Sequence, residues 1–264
     1  MANLRPYAVS AVYIIPSDAE PWRAAQRRAT EVLQDLQWFF ADEMELLGYE
    51  PKTFEIDYDN NKLINFEVIK TELTRRDFGI GRKQVIPNAM KLLPTLGEEY
   101  RQLCFIESYS YVSGVLSGVI AGTTEKRSYL SSLYLKVGLP AWLGRTEGYG
   151  GEIFPWISSE PMIQNTLSWK GRGLELGDVS GAAFGTIAHE LEHCFGPDHH
   201  AGNDERERMG HLMGSGDIKF RGVFRPDLTR DTCVLSRRDA EELNRSPFFA
   251  VRADLKPKGC HWLF

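Results

Sequence analysis

The chain has 264 residues, 42% of them apolar and 25% charged, with a formal net charge of -5. That length suits one sizeable domain or two modest ones, and the acidic balance argues against a dedicated nucleic-acid binder, which carries a basic face. No run of 18 apolar residues occurs, which argues against a membrane-spanning helix.

Met1 to Tyr7 lack the apolar core of a secretory leader, as expected of a cytoplasmic protein or of one whose leader has been removed. Cys104, Cys194, Cys233 and Cys260 are widely spaced, with no CxxC pair. They are too sparse for a disulfide scaffold and wrongly spaced for a zinc ribbon. Two disulfides and four free thiols both fit.

In chain order, Tyr7 to Ile15 predicts a buried strand, and Pro16, Ser17 and Asp18 a turn. From about Glu20 to Leu47, apolar residues recur in steps of three and four: Trp22, Ala25, Ala29, Val32, Leu33, Leu36, Phe39, Phe40, Met44 and Leu47. That spacing marks one face of a long amphipathic helix packed on a sheet, with Gly48 as its C-terminal stop. Phe54 to Tyr58 and Leu63 to Ile69 alternate around Asp59, Asn60 and Asn61, which predicts a hairpin. Thr71 to Leu93 reads as a loop and a helix ending before Pro94, and Gln102 to Glu107 as a strand. Ser108 to Gly138 can hold strands or an irregular insertion. Leu139 to Gly181, rich in Gly, Pro and Trp, reads as irregular chain bordering a cleft. Within it, Gly148 to Gly151 lacks the spacing of a nucleotide loop. Ser180 to Ala188 predicts the start of a helix set deep in the core. With no linker, the chain is expected to be a single domain over residues 1–264.

Five of the six histidines lie between positions 189 and 211. His189, Glu190, His193, Gly196 and His199 spell HExxHxxGxxH. Positions four apart share one helix face, so His189 and His193 can aim at one ion. Gly196 can take the left-handed turn that ends a helix, Pro197 prevents its continuation, and His199 returns to the same ion. Three neutral imidazoles with one open position describe a catalytic rather than a structural zinc site. Such an ion brings the pKa of its water to roughly 7. Glu190, rotated away from the first ligand, suits the general base and acid. Glu192, on another face, is expected to be solvated or paired structurally.

This string resembles the elongated zinc motif of the metzincin clan of metallopeptidases. The resemblance implies a methionine turn beneath the metal, for which Met213, followed by Gly214, fits better than Met209. It implies an α+β fold: a twisted, mainly parallel or mixed sheet, a long backing helix and the active-site helix. Approximate subdomains are then 1–198 and 199–264, the second carrying His199, Met213 and a late helix over Ser236 to Asn244. Some clan families use a tyrosine after the methionine turn as ligand or transition-state donor. This chain has none after Tyr149, so that role is either absent or filled otherwise, for example by His211 or Arg221.

Other polar residues carry plainer expectations. His200 flanks the third ligand, His261 is structural or exposed, and Cys194 is a core cysteine. Asn203, Asp204, Glu205 and Glu207 form an acidic patch that fits a solvated loop better than a calcium site, since EF-hand spacing is absent. The sequence thus points to a zinc peptidase taking a protein or peptide substrate, bound as an added strand on an edge within Val112 to Leu135. A narrow aminopeptidase or processing enzyme, and a non-catalytic metal-stabilised binding module, are the competing readings. Oligomeric state is not legible.

Overall fold

β1 (Ala8–Ile15) is buried along its whole length, because both faces of its sheet are covered. The structure is a computed structural model that describes residues 4–79, 81–112, 115–117, 119–124, 126–137, 176–199, 210–224, 233–252 and 255. β1 pairs in parallel with β4 (Arg101–Ile106) on one side and with β2 (Lys52–Ile56) and β3 (Phe66–Lys70) on the other. β8 (Arg127–Ser131) continues the parallel sheet beyond β4, and β7 (Ala121–Thr124) lies antiparallel at that edge. β9 (Phe249–Val251) pairs antiparallel with β2 at the opposite end. The result is an α+β architecture on a mixed sheet. Ser108 to Gly138 supplies strands: besides β7 and β8 it holds a short pair, β5 (Ser110–Val112) and β6 (Val115–Ser117).

The expected hairpin does not form. β2 and β3 follow one another along the same side of β1, with Ala8 opposite Glu55 and Ala11 opposite Phe66. A single antiparallel bridge, Tyr58 to Ile64, joins the chain between them. The buried β1 carries backbone donors and acceptors along its whole side, and all of them need partners. Two tandem strands satisfy them, whereas a hairpin folded on itself would satisfy fewer. Asp59 closes the excursion: its Oδ1 accepts from the amides of Asn61 (2.8 Å) and Leu63 (3.0 Å).

The long helix α1 (Ala25–Leu46) starts later than Glu20. The residues before it form turns, with the Ala25 amide bonded to Trp22 O at 3.1 Å and the Trp22 amide donating to Tyr13 Oη at 3.2 Å. Its end is as expected: Gly48 has φ +88°, its amide reaches Glu45 O (2.9 Å), and the Tyr49 amide reaches Met44 O (3.0 Å). These paired bonds form the Schellman stop that a glycine permits. Val32, Leu36, Phe40 and Met44 of α1 share one core with Val9, Ala11 and Tyr13 of β1. The other sheet face, with Val12, Ile14, Cys104 and Ile106, is covered by α2 (Arg75–Phe78) and α3 (Arg82–Met90) through Phe78, Val85 and Ala89.

α4 (Leu133–Val137) is fixed where the parallel strands end, by Lys136, which donates to Glu107 and to Tyr109 Oη (2.5 Å). α5 (Leu176–His193) contains Ser180 to Ala188 as predicted and lies on the α1 side of the sheet, burying Phe184, Ile187 and Leu191. The late helix is present as α7 (Arg237–Arg245); Ser236 caps it by accepting from the Asp239 amide at 3.0 Å. Cys104, Cys194 and Cys233 are buried, and no disulfide joins them to one another among the described residues; Cys260 lies outside those residues. So do residues 138–175, with Gly148 to Gly151.

Glu43 of α1 is buried, and its Oε2 accepts from the Leu235 amide at 2.9 Å, tying α1 to the C-terminal chain. Burial raises its pKa from 4.5 to about 7; the Leu235 amide opposes the shift and nearby Asp42 adds to it. Between those pH values the folded state holds more protons than the unfolded state, so this group's contribution falls as pH rises from 4.5 to 7. Glu43→Gln is expected to change stability little at pH 5 and to raise it by roughly 1–3 kcal/mol at pH 8. Urea unfolding at both pH values checks this; a variant no more stable than its parent at pH 8 contradicts it.

Candidate metal centre

His189 and His193 project from one face of α5, four residues apart, with ring centroids 4.8 Å apart. The helix then tightens and stops. Cys194 N–H bonds Leu191 O (3.0 Å), Phe195 N–H bonds Glu192 O (2.9 Å), and Gly196 N–H bonds His193 O (3.2 Å). Gly196 has φ +131°, a conformation that other residues rarely adopt, and a Cβ there would meet the Glu242 carboxylate at 2.5 Å. Through this turn and Pro197 the chain reverses. His199 Nε2 arrives 3.0 Å from His189 Nε2 and 3.2 Å from His193 Nε2.

Two of the imidazoles are oriented from behind. His189 Nδ1 is 2.7 Å from Leu212 O, and His193 Nδ1 is 2.9 Å from Pro197 O. A carbonyl can only accept, so each Nδ1 carries the proton and each Nε2 presents a lone pair. The ligand atoms of His189, His193 and His199 lie within 4.8 Å of one another. Lone pairs gathered this closely repel unless a cation lies between them. Zinc–nitrogen bonds of 2.0–2.1 Å in a tetrahedron put nitrogens about 3.3 Å apart, so the spacing fits such an ion. Burial first, then neighbouring His189, lowers the His193 pKa to about 4, keeping it in the neutral form a ligand needs.

Behind His189 runs the segment that holds Met213. Leu212–Gly216 is a wide turn in which the amides of Gly214 and Gly216 both reach His211 O at 2.9 Å. Leu212 and Met213 are buried, and the turn is tied to the C-terminal chain through Leu212 N–H to Val234 O (2.9 Å). A short 3-10 turn, Asp217–Lys219, leads into α6 (Arg221–Phe224). Phe220 between them packs on Phe184 of α5 (5.3 Å) and Phe39 of α1 (4.8 Å). The approach is close at Gly185, where a Cβ would stand 2.0 Å from Asp217 O. Burial raises the Asp217 pKa, and the imidazoles of His189 and His199 pull it back.

Glu190 is buried beside the sheet edge. Its Oε2 lies 2.5 Å from Thr123 Oγ1 of β7, and its backbone carbonyl accepts from Ser128 Oγ of β8 at 2.5 Å. Thr123 carried no motif in the sequence; only the antiparallel turn-back of β7 brings it here. Tyr134 of α4, upstream of that turn, is likewise marked by no motif. Its phenol is pushed up to about 12 by burial and by the charges of Glu190 and Asp217. His211 is not a member of the histidine cluster. The Arg221 side chain, His200, the acidic patch at 203–207, Met209 and His261 lie outside the described residues. Cys194 is a core cysteine, 3.0 Å from Ser128 Oγ, with its pKa pushed up to about 12 by burial.

Glu192 departs from expectation. It is fully buried, neither solvated nor paired: neither carboxylate oxygen has a hydrogen-bond partner among the described residues. Burial, then Asp239 and Glu242 of α7, hold its pKa well above the carboxylate range. Asp239 and Glu242 of α7 stand close enough to Glu192 to act on its charge, a neighbourhood that the helical period alone could not reveal.

No family model and no curated protein sequence matches this chain. Solved structures do. Catalytically inactive OgpA from Akkermansia muciniphila, in complex with an O-glycopeptide substrate (glycodrosocin), superposes with TM-score 0.60 at 17% identity. The match covers 95% of this chain and 62% of OgpA. Wild-type OgpA gives TM-score 0.58 at 18% identity, over 94% of this chain and 62% of that one. The chain spans less than two thirds of OgpA's length and shares the fold of that part. Archaemetzincin from Methanopyrus kandleri overlaps at TM-score 0.37 and 12% identity, over 91% of this chain and 96% of that one, too low a score to argue from.

Alanine normally favours a helix interior over glycine by about 1 kcal/mol. Gly185→Ala is expected to do the reverse, destabilising by roughly 1–3 kcal/mol as the new methyl drives into the Asp217 carbonyl. Any affinity of the histidine cluster for a metal ion should fall with it, since the displaced turn carries Leu212. Chemical unfolding and metal titration of the variant test this; a gain in stability contradicts it.

Proposed function

We propose that this chain is a zinc-dependent peptidase. The observation that carries the proposal is the convergence of three Nε2 atoms, two of them left with a lone pair by a carbonyl on the far ring nitrogen, with Glu190 adjoining His189 in the chain. A zinc ion held by His189, His193 and His199 would supply a Lewis acid and an acidified water. Glu190, adjoining the first imidazole, would take a proton from the attacking water and pass it to the amine that leaves as the peptide C–N bond breaks. Buried His189 and Glu190 lie in a partly dry setting, where charge interactions are stronger than in water. The turn that holds Met213 would brace the His189 ring through the Leu212 carbonyl.

The peptide would lie along β7. That strand ends the sheet, and its outer side has no partner strand among the described residues. An extended peptide can add to such an edge through main-chain hydrogen bonds, and β7 is also the strand that touches Glu190. The fold shared with OgpA, whose solved complex holds an O-glycopeptide, favours a peptide or glycopeptide substrate and a narrow scope.

Two variants test the proposal. His199→Ala is expected to lose bound zinc, while Glu190→Ala keeps it and cleaves peptides and O-glycopeptides about 10²–10⁴-fold more slowly. Metal analysis and cleavage mapping on a mixed library read both out. Zinc unchanged in His199→Ala overturns the ligand set. A zinc-loaded wild type that cleaves nothing, with Glu190→Ala binding peptide equally well, favours the non-catalytic binding module.

A further inference from the structure

We infer that Thr123 is a positioning residue that holds the Glu190 carboxylate by Oε2 and so presents Oε1 to the reacting water and amine. The inference rests on the peptidase reading. Thr123 and Ser128 are direct partners in the β7–β8 register, which puts both hydroxyls on the sheet face that meets α5. Their acceptors differ. The Glu190 carbonyl has lost its usual helical donor, because Cys194 N–H turns to Leu191 O. Ser128 Oγ takes that place at 2.5 Å. Thr123 Oγ1 has one proton and two acceptors in reach, the same carbonyl at 3.0 Å and Glu190 Oε2 at 2.5 Å. With the carbonyl served by Ser128, the shorter, charge-assisted bond to the carboxylate prevails.

Glutamate has three rotatable side-chain bonds, and a base must sit within hydrogen-bond reach of the proton it takes. Anchoring one oxygen fixes the direction of the other. The anchor stands on the strand proposed to receive the peptide, so substrate and base share one rigid reference.

The test compares zinc-loaded wild type, Thr123→Val and Thr123→Ser. Valine keeps the branched shape without the donor; serine keeps the donor. Thr123→Val is expected to lose about 10–100-fold in kcat, with KM changed less than about twofold and zinc retained, and Thr123→Ser to recover to within about threefold of wild type. Crystal structures should show the Glu190 carboxylate in one place in wild type and Thr123→Ser and displaced in Thr123→Val. An unchanged kcat in Thr123→Val, a loss that follows KM or zinc content, or a serine variant as slow as the valine one overturns the inference. If no form cleaves peptide, the peptidase reading falls, and the carboxylate position alone decides: undisturbed in Thr123→Val, it overturns the inference too.

Discussion

The bond between His189 Nδ1 and the Leu212 carbonyl joins the two halves of the site. On one side is a helix packed against the sheet; on the other is a turn tied to the last strands of the chain. The bond sets the His189 tautomer, fixes its ring and defines where the other two imidazoles must arrive. Everything that brings Leu212 to that place serves the bond. Gly185 allows the turn to approach, Phe220 wedges it between α5 and α1, and Val234 holds it from the C-terminal side.

Much of this was legible from local chemistry. The histidine spacing, the stop at Gly196, the long helix and its Gly48 terminus and the Ser236 cap are each decided within a few residues. Long-range pairing was not legible. β2 and β3 alternate as hairpin strands do, and only the demand of β1 for partners separates them. The same blindness hid Thr123, which owes its place to an edge strand folded back over the helix, and the covered face of Glu192. Periodicity tells which residues share a face; it does not tell what the fold lays against it.

The site is also built from costly groups. Glu43, Glu192 and Asp217 are carboxyls whose protons are held more tightly than in water because burial disfavours their charge. They cluster where the C-terminal chain meets α1 and α5. An apolar joint would be more stable. Polar groups there limit how the two parts can fit together, and the histidine geometry needs one arrangement.

The tandem strands β2 and β3 carry a consequence of their own. Each takes its register from β1 independently, so neither depends on the length of chain between them. In a hairpin, an added residue at the tip would change the turn and slide one strand past the other. Here extra residues at Asn60 and Asn61 would bulge outward and leave the strand pairing with β1 undisturbed. The fold has in effect a free splice point beside its central strand, where relatives can differ in length and where a label or a second module can be grafted.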